Sequence, residues 1–106
     1  MSPRGNLVQI FLPRYDNAGQ SFAEDEYATT RGELLERYGG LTAYQRAPAR
    51  GLWKTEDGDI ARDEMVIFEV MVDALDHYEW MKYRKTLERR FRQDRILIRA
   101  IAHQLI

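Results

Sequence analysis

At 106 residues the chain is one domain by length, and 44% apolar against 31% charged residues is a globular balance that excludes a disordered or fibrous chain. It has no cysteine, which excludes disulfides, thiol nucleophiles and thiolate metal sites. A net charge of −1 and the lack of any apolar run long enough to span a bilayer set the expectation of a soluble, cytoplasmic protein with no membrane partner and no bulk attraction to nucleic acid.

Residues 1–5 read as a flexible tail on a single domain, 1–106. Leu7 to Leu12 alternates as a strand does, and Pro13 ends it. Tyr15 to Gln20 is turn chemistry. Ser21 stands three residues before Glu24, the spacing of a capping box, and predicts a helix carrying Ala23, Tyr27, Thr30, Leu34 and Tyr38 on one apolar stripe. Gly39-Gly40 supplies a left-handed exit. Gly32, in mid-helix, costs about 1 kcal/mol relative to Ala and suggests a close approach there.

A second strand is expected over Leu41 to Arg46, broken by Ala47-Pro48-Ala49-Arg50-Gly51. Leu52 to Thr55 and Ile60 to Asp63 flank Glu56-Asp57-Gly58-Asp59 as a hairpin; a two-residue Asp57-Gly58 turn would set Trp53 opposite Arg62 as a cation–π pair. Met65 to Val72 is the strongest strand in the chain. Asp76 caps a second helix with Glu79 three residues on, and Trp80, Tyr83, Leu87 and Phe91 form its inward stripe. Ile96 to Ile101 is the last strand.

The chain nearly repeats itself. Arg31-x-x-Leu34-x-x-Arg37-Tyr38 returns as Arg84-x-x-Leu87-x-x-Arg90-Phe91, each copy late in a helix between two strands. Two β-α-β units with right-handed crossovers predict an α+β fold, a ferredoxin-like β-α-β-β-α-β sandwich. Its four-stranded antiparallel sheet carries both helices on one face, and the extra β-hairpin lies between strands 2 and 3.

The uncovered face of that sheet is too apolar. With Val66, Phe68, Val70 and Val72 toward the helices, Met65, Ile67 and Met71 face outward, joined by Phe11, Leu97 and Ile101. Such a patch marks an interface, here with a second copy of the chain. Gln9, Glu69 and Arg99 interrupt it on three neighbouring strands. They read either as an interfacial ion pair that fixes dimer register or as a polar patch orienting a small ligand.

An open apolar sheet on this topology resembles the dimeric α/β-barrel (ferredoxin-like) superfamily. Gly39-Gly40-Leu41-Thr42, followed by Arg50-Gly51-Leu52-Trp53 and Asp57-Gly58, is similar to small uncharacterised bacterial proteins of that fold. The resemblance implies two sheets packed face to face. It spans cofactor-free monooxygenases, lactone isomerases, dye-decolorising haem enzymes and stress-response proteins, and it assigns no residue here a role.

Arg31 and Arg84 fall inside their apolar stripes, about 40° from Tyr27 and Trp80 on a helical wheel. They read as snorkelling stems at the core edge or as a pair that binds an anionic ligand. Trp53, on the hairpin, is the aromatic best placed to bind a ligand. His77 and His103, the only histidines, lack metal-ligand spacing, and no metal or cofactor is expected. The acidic set Glu56, Asp57, Asp59, Asp63 and Glu64 lacks calcium-loop spacing and reads as a solvated hairpin tip. Nucleic acid is not expected, because 63–70 is acidic and lacks the spaced aromatics of an RNA-binding strand.

Charge is laid out in blocks. Glu56 to Glu79 holds nine acids against Arg62; Lys82 to Arg99 holds eight bases against Glu88 and Asp94. The function these features predict is a homodimer formed through the sheet face, with an interaction or ligand-binding role. The alternative is a cofactor-independent enzyme, oxygenase-like or isomerase-like, acting on a small apolar or aromatic compound.

Overall fold

Alternating side chains in 6–13 and 65–72 give two strands that each bury one face, and in the computed structural model these two lie side by side. The structure describes residues 4–44, 50–54 and 60–106, and of residues 4, 44, 50–54 and 60–64 the backbone alone. The elements in chain order are β1 (Arg4–Pro13), α1 (Glu24–Tyr38), β2 (Thr42–Tyr44), β3 (Arg50–Lys54), β4 (Ile60–Val72), α2 (His77–Arg90) and β5 (Leu97–Gln104).

The sheet runs β2–β4–β1–β5 with every pairing antiparallel. This is the ferredoxin-like order expected from the two β-α-β units. β3 stands off that path and pairs with residues 60–64 of β4, beyond the last β1 pairing at Pro13↔Met65. The strand expected at Met65 and the hairpin strand expected at Ile60 are thus one continuous strand.

The core is the helix-facing side of the sheet. Val8, Ile10, Leu12, Val66, Phe68, Val70 and Val72 pack against Tyr27 and Leu34 of α1 and Trp80 and Leu87 of α2. The two helix repeats do equivalent work: Leu34 and Leu87 are buried, and Phe91 lies edge-on to Phe22 with ring centroids 5.2 Å apart. Truncating any of these large side chains costs about 3–5 kcal/mol.

Four expectations are corrected. The capping box does not form: α1 begins at Glu24 behind Ala23, which makes no side-chain cap bond. Ser21 is instead held in an extended bridge to Tyr15, and the Phe22 N–H donates to the Arg14 carbonyl, so the chain is still extended where the box would need a helical turn. Three acids in the first turn meet the helix dipole in its place. At the exit Gly39 takes the left-handed conformation, φ 76°, as foreseen.

Gly32 accommodates no close approach, since a Cβ built there meets nothing within 4 Å. β1 starts at Arg4, inside the stretch expected to be a tail. Gly5 pairs with His103, and a Cβ on it would sit 2.6 Å from the Val72 carbonyl oxygen.

The hairpin register is shifted by one. Trp53 pairs with Ala61 and Leu52 with Arg62. Trp53 and Arg62 are therefore not cross-strand partners. The tip, Glu56 to Asp59, lies outside the described residues, as do Arg46 and 47–49; the side chains of Trp53, Asp63 and Glu64 lie outside them too.

Candidate functional site

β1 sits at the centre of the open face and sets its register. Gln9 pairs with Glu69 on one side and with Arg99 on the other, and Glu69 pairs in turn with Thr42. Residues directly opposite one another share a face, so Thr42, Glu69, Gln9 and Arg99 form one polar row across four strands.

The three charged and amide groups are joined. Gln9 Nε2 donates to Glu69 Oε2 at 2.5 Å, and Arg99 Nε donates to Gln9 Oε1 at 2.7 Å. The Arg99 guanidinium also lies 5.1 Å from the Phe11 ring centroid. The sequence placed these three residues together; the structure adds that Gln9 is the bridge, so carboxylate and guanidinium do not meet within one chain.

Apolar rows flank the polar one: Ile67, Phe11 and Leu97 on one side, Met71, Leu7 and Ile101 on the other. Their exposure is uneven. Met71 is 59% exposed, Leu97 55% and Ile101 45%, whereas Ile67 is only 9% exposed.

A second feature lies on the helix side of β5. The helix stripes converge on β4 and β1, leaving Ile98 half-buried and Ala100 exposed. A groove of about 420 Å³ opens there between α2 and β5, floored by Val8, Trp80 and Ile98 and edged by Leu75, Met81 and Arg84. Arg99 contributes to its lining, but its guanidinium is bonded to Gln9. Arg84 also lines an adjoining cleft of about 440 Å³ around the start of β5, together with Gln93 and Arg95. Arg84 Nε is buried without a hydrogen bond among the described residues; its nearest acid, Glu88 Oε2, is 3.8 Å away.

Arg31 is elsewhere. It pairs with Glu24 at 2.6 Å and lines a cleft of about 220 Å³ with Arg14, Phe22 and Tyr27. The structure therefore does not bring Arg31 and Arg84 into one site. Trp53 is placed by its backbone on β3, outside the sheet's main path.

The sequence reading passed over the second arginine of each repeat, and these join the helices. Arg37 on α1 bonds Glu79 on α2 at 3.0 Å; Arg90 on α2 forks onto both Glu33 oxygens at 2.7 and 2.9 Å and onto Thr30 Oγ1 at 2.8 Å. The Arg90 bonds hold the Glu33 carboxyl below its ordinary range, despite the opposing effect of its partial burial, and the Tyr83 hydroxyl donates to it at 2.9 Å. Burial first, then that bond to Glu33, raises the Tyr83 phenol well above its usual value. A cleft of about 470 Å³ opens beside this network, and two of its charged groups, Glu33 and Arg37, are taken by internal partners. Repetition of the arginine at a fixed helical position was the signal available in the sequence.

Among the described residues no cluster of histidine, aspartate or glutamate has the makings of a metal site. Among them no helix is long and apolar enough to cross a membrane.

No protein-family model matches the chain, and no curated protein matches it. Two solved structures are similar in fold. A phage SAM lyase in complex with S-methyl-5'-thioadenosine superposes with a TM-score of 0.57 at 12% identity, over 95% of this chain and 90% of that one. A phage SAM lyase in the apo state superposes with a TM-score of 0.53 at 14% identity, over 97% and 91%. At these identities the likeness is one of fold: a small α+β domain built on an antiparallel sheet.

Proposed function

We propose that this chain is a small-molecule-binding protein that associates with itself through the open sheet face and holds its ligand in the groove between α2 and β5. The observation that carries the reading is the groove itself. It has the volume of a small-ligand site, largely apolar walls, and two lining arginines: the Arg99 guanidinium is bonded to Gln9, whereas Arg84 Nε is buried without a hydrogen bond among the described residues. A compact apolar or aromatic compound bearing an anionic or strongly accepting group fits that chemistry.

The enzyme alternative acts at the same place. It draws support from the fold likeness to an enzyme whose complex holds a thioadenosine, a compound with an aromatic base and an apolar thioether. Fold likeness alone is a weak warrant for activity, so binding and turnover are tested separately.

Calorimetry with S-methyl-5'-thioadenosine, S-adenosylmethionine and the aromatic anion anilinonaphthalene sulfonate is the test. Saturable binding of at least one probe, weakened on the order of tenfold by Arg84→Ala and unchanged by Lys85→Ala, is expected. Chromatography of the incubated probe reports any conversion. No saturable binding by any of the three, or binding indifferent to Arg84, contradicts the assignment.

A further inference from the structure

The polar row has a direction, with Glu69 at one end, Gln9 in the middle and Arg99 at the other. Two sheets stacked face to face about 10 Å apart are related by a two-fold axis lying in the plane between them. That axis has two simple orientations, and the row distinguishes them.

If the axis runs across the strands, along the row, each residue of the row stacks on its own copy. Arg99 then meets a second Arg99, and Glu69 a second Glu69. If the axis runs along β1, the row is reversed in the partner. Gln9 then stacks on its own copy, while Arg99 of each chain lies over Glu69 of the other. The apolar rows accept either orientation, because both place apolar side chains on apolar side chains. The charged row accepts only the second.

The groups are prepared for this. Among the described residues the Arg99 guanidinium spends only its Nε–H, on Gln9, which leaves its terminal nitrogens to a partner. Only one Glu69 oxygen is engaged by Gln9. In the same orientation the projecting Leu97, 55% exposed, meets the recessed Ile67 of the second copy, 9% exposed, and Met71 meets Ile101.

We infer that the partner of the open face is a second copy of this chain, related by a two-fold axis along β1 and locked by two reciprocal Arg99–Glu69 pairs between chains. This rests on the proposal that the sheet face self-associates, and it adds the orientation and the residues that select it.

The test is native mass spectrometry of the wild type and of the double variant Arg99→Glu/Glu69→Arg, alone and mixed. The double variant keeps its internal row, because the Gln9 amide serves either polarity by turning over. Each protein alone should be dimeric. Mixed, they should stay as homodimers, with heterodimer far below the statistical half, since a mixed pair sets Arg against Arg and Glu against Glu. The single variants Arg99→Glu and Glu69→Arg should each dissociate on the order of tenfold more readily, and mixing the two should restore the dimer.

Enrichment of the wild-type/double-variant heterodimer would put the axis along the row and overturn the inference while leaving self-association intact. A folded double variant that stays monomeric beside a dimeric wild type would overturn it too. A monomeric wild type would remove the proposal on which it rests.

Discussion

Ser21 and Asp76 look alike in sequence, each a capping residue with a glutamate three positions on, yet only one caps. Asp76 Oδ1 accepts from the amides of Tyr78 and Glu79, both at 3.1 Å, while Ser21 lies in an extended bridge. Asp76→Ala should therefore cost about 1 kcal/mol in urea unfolding, and Ser21→Ala no more than about 0.5. Gly32→Ala should add about 1 kcal/mol, because the site is open and helical.

Tyr27 gives a pH signature. Burial pushes its phenol from the ordinary 10.0 up to about 12, and its hydroxyl donates to the Pro13 carbonyl at 2.5 Å. The folded value lies above the unfolded one, so the contribution is complete below pH 10 and is lost as pH rises from there through about 12. In ultraviolet titration Tyr27 should ionise later than an ordinary tyrosine and together with unfolding, and Tyr27→Phe should flatten the alkaline limb. Stability as steep in Tyr27→Phe as in the wild type would contradict this assignment.

Among the elements, the helices were the most legible. Leu34, Leu87 and Phe91 are buried where a 3.6-residue period puts them, since each has a flat apolar surface to meet. The phase of β4 was legible for the same reason: burying Val66, Phe68, Val70 and Val72 leaves no choice for the residues between. Termini and turns were less so. β1 reaches back to Arg4 because β5 runs on to Gln104 and offers it a partner, a long-range pairing that no local pattern records. The hairpin register is set by which residues of β3 and β4 pair, which composition does not give.

The candidate site divides in the same way. Gln9, Glu69 and Arg99 could be aligned from strand phase alone, whereas the groove at Arg84 depends on how far the helices stop short of β5. The cross-helix network needed the three-dimensional pairing of α1 with α2. Glu33→Gln tests it: losing the forked Arg90 contact should cost about 1 kcal/mol near neutrality. Because the Glu33 carboxyl is held below its ordinary range, that cost should fade as pH drops through its folded value. A deficit unchanged at acid pH would mean that charge is not what Glu33 contributes.

For the whole molecule, the question is what covers the second side of the sheet. Two helices shelter one side, and the other presents Met71, Leu97 and Ile101 about half exposed in rows around a hydrogen-bonded polar line. β5 compounds the exposure: β1 is its sole partner strand among the described residues, and its edge carries few of the charges that usually keep such strands apart. An isolated chain would leave both to water. Sedimentation velocity of the wild type beside Met71→Asp tests this most directly. At micromolar concentration the wild type should run as a dimer and Met71→Asp, folded by circular dichroism, as a monomer, since the substitution buries an unpaired charge in the pair. A wild type that sediments as a monomer across that range would contradict the account.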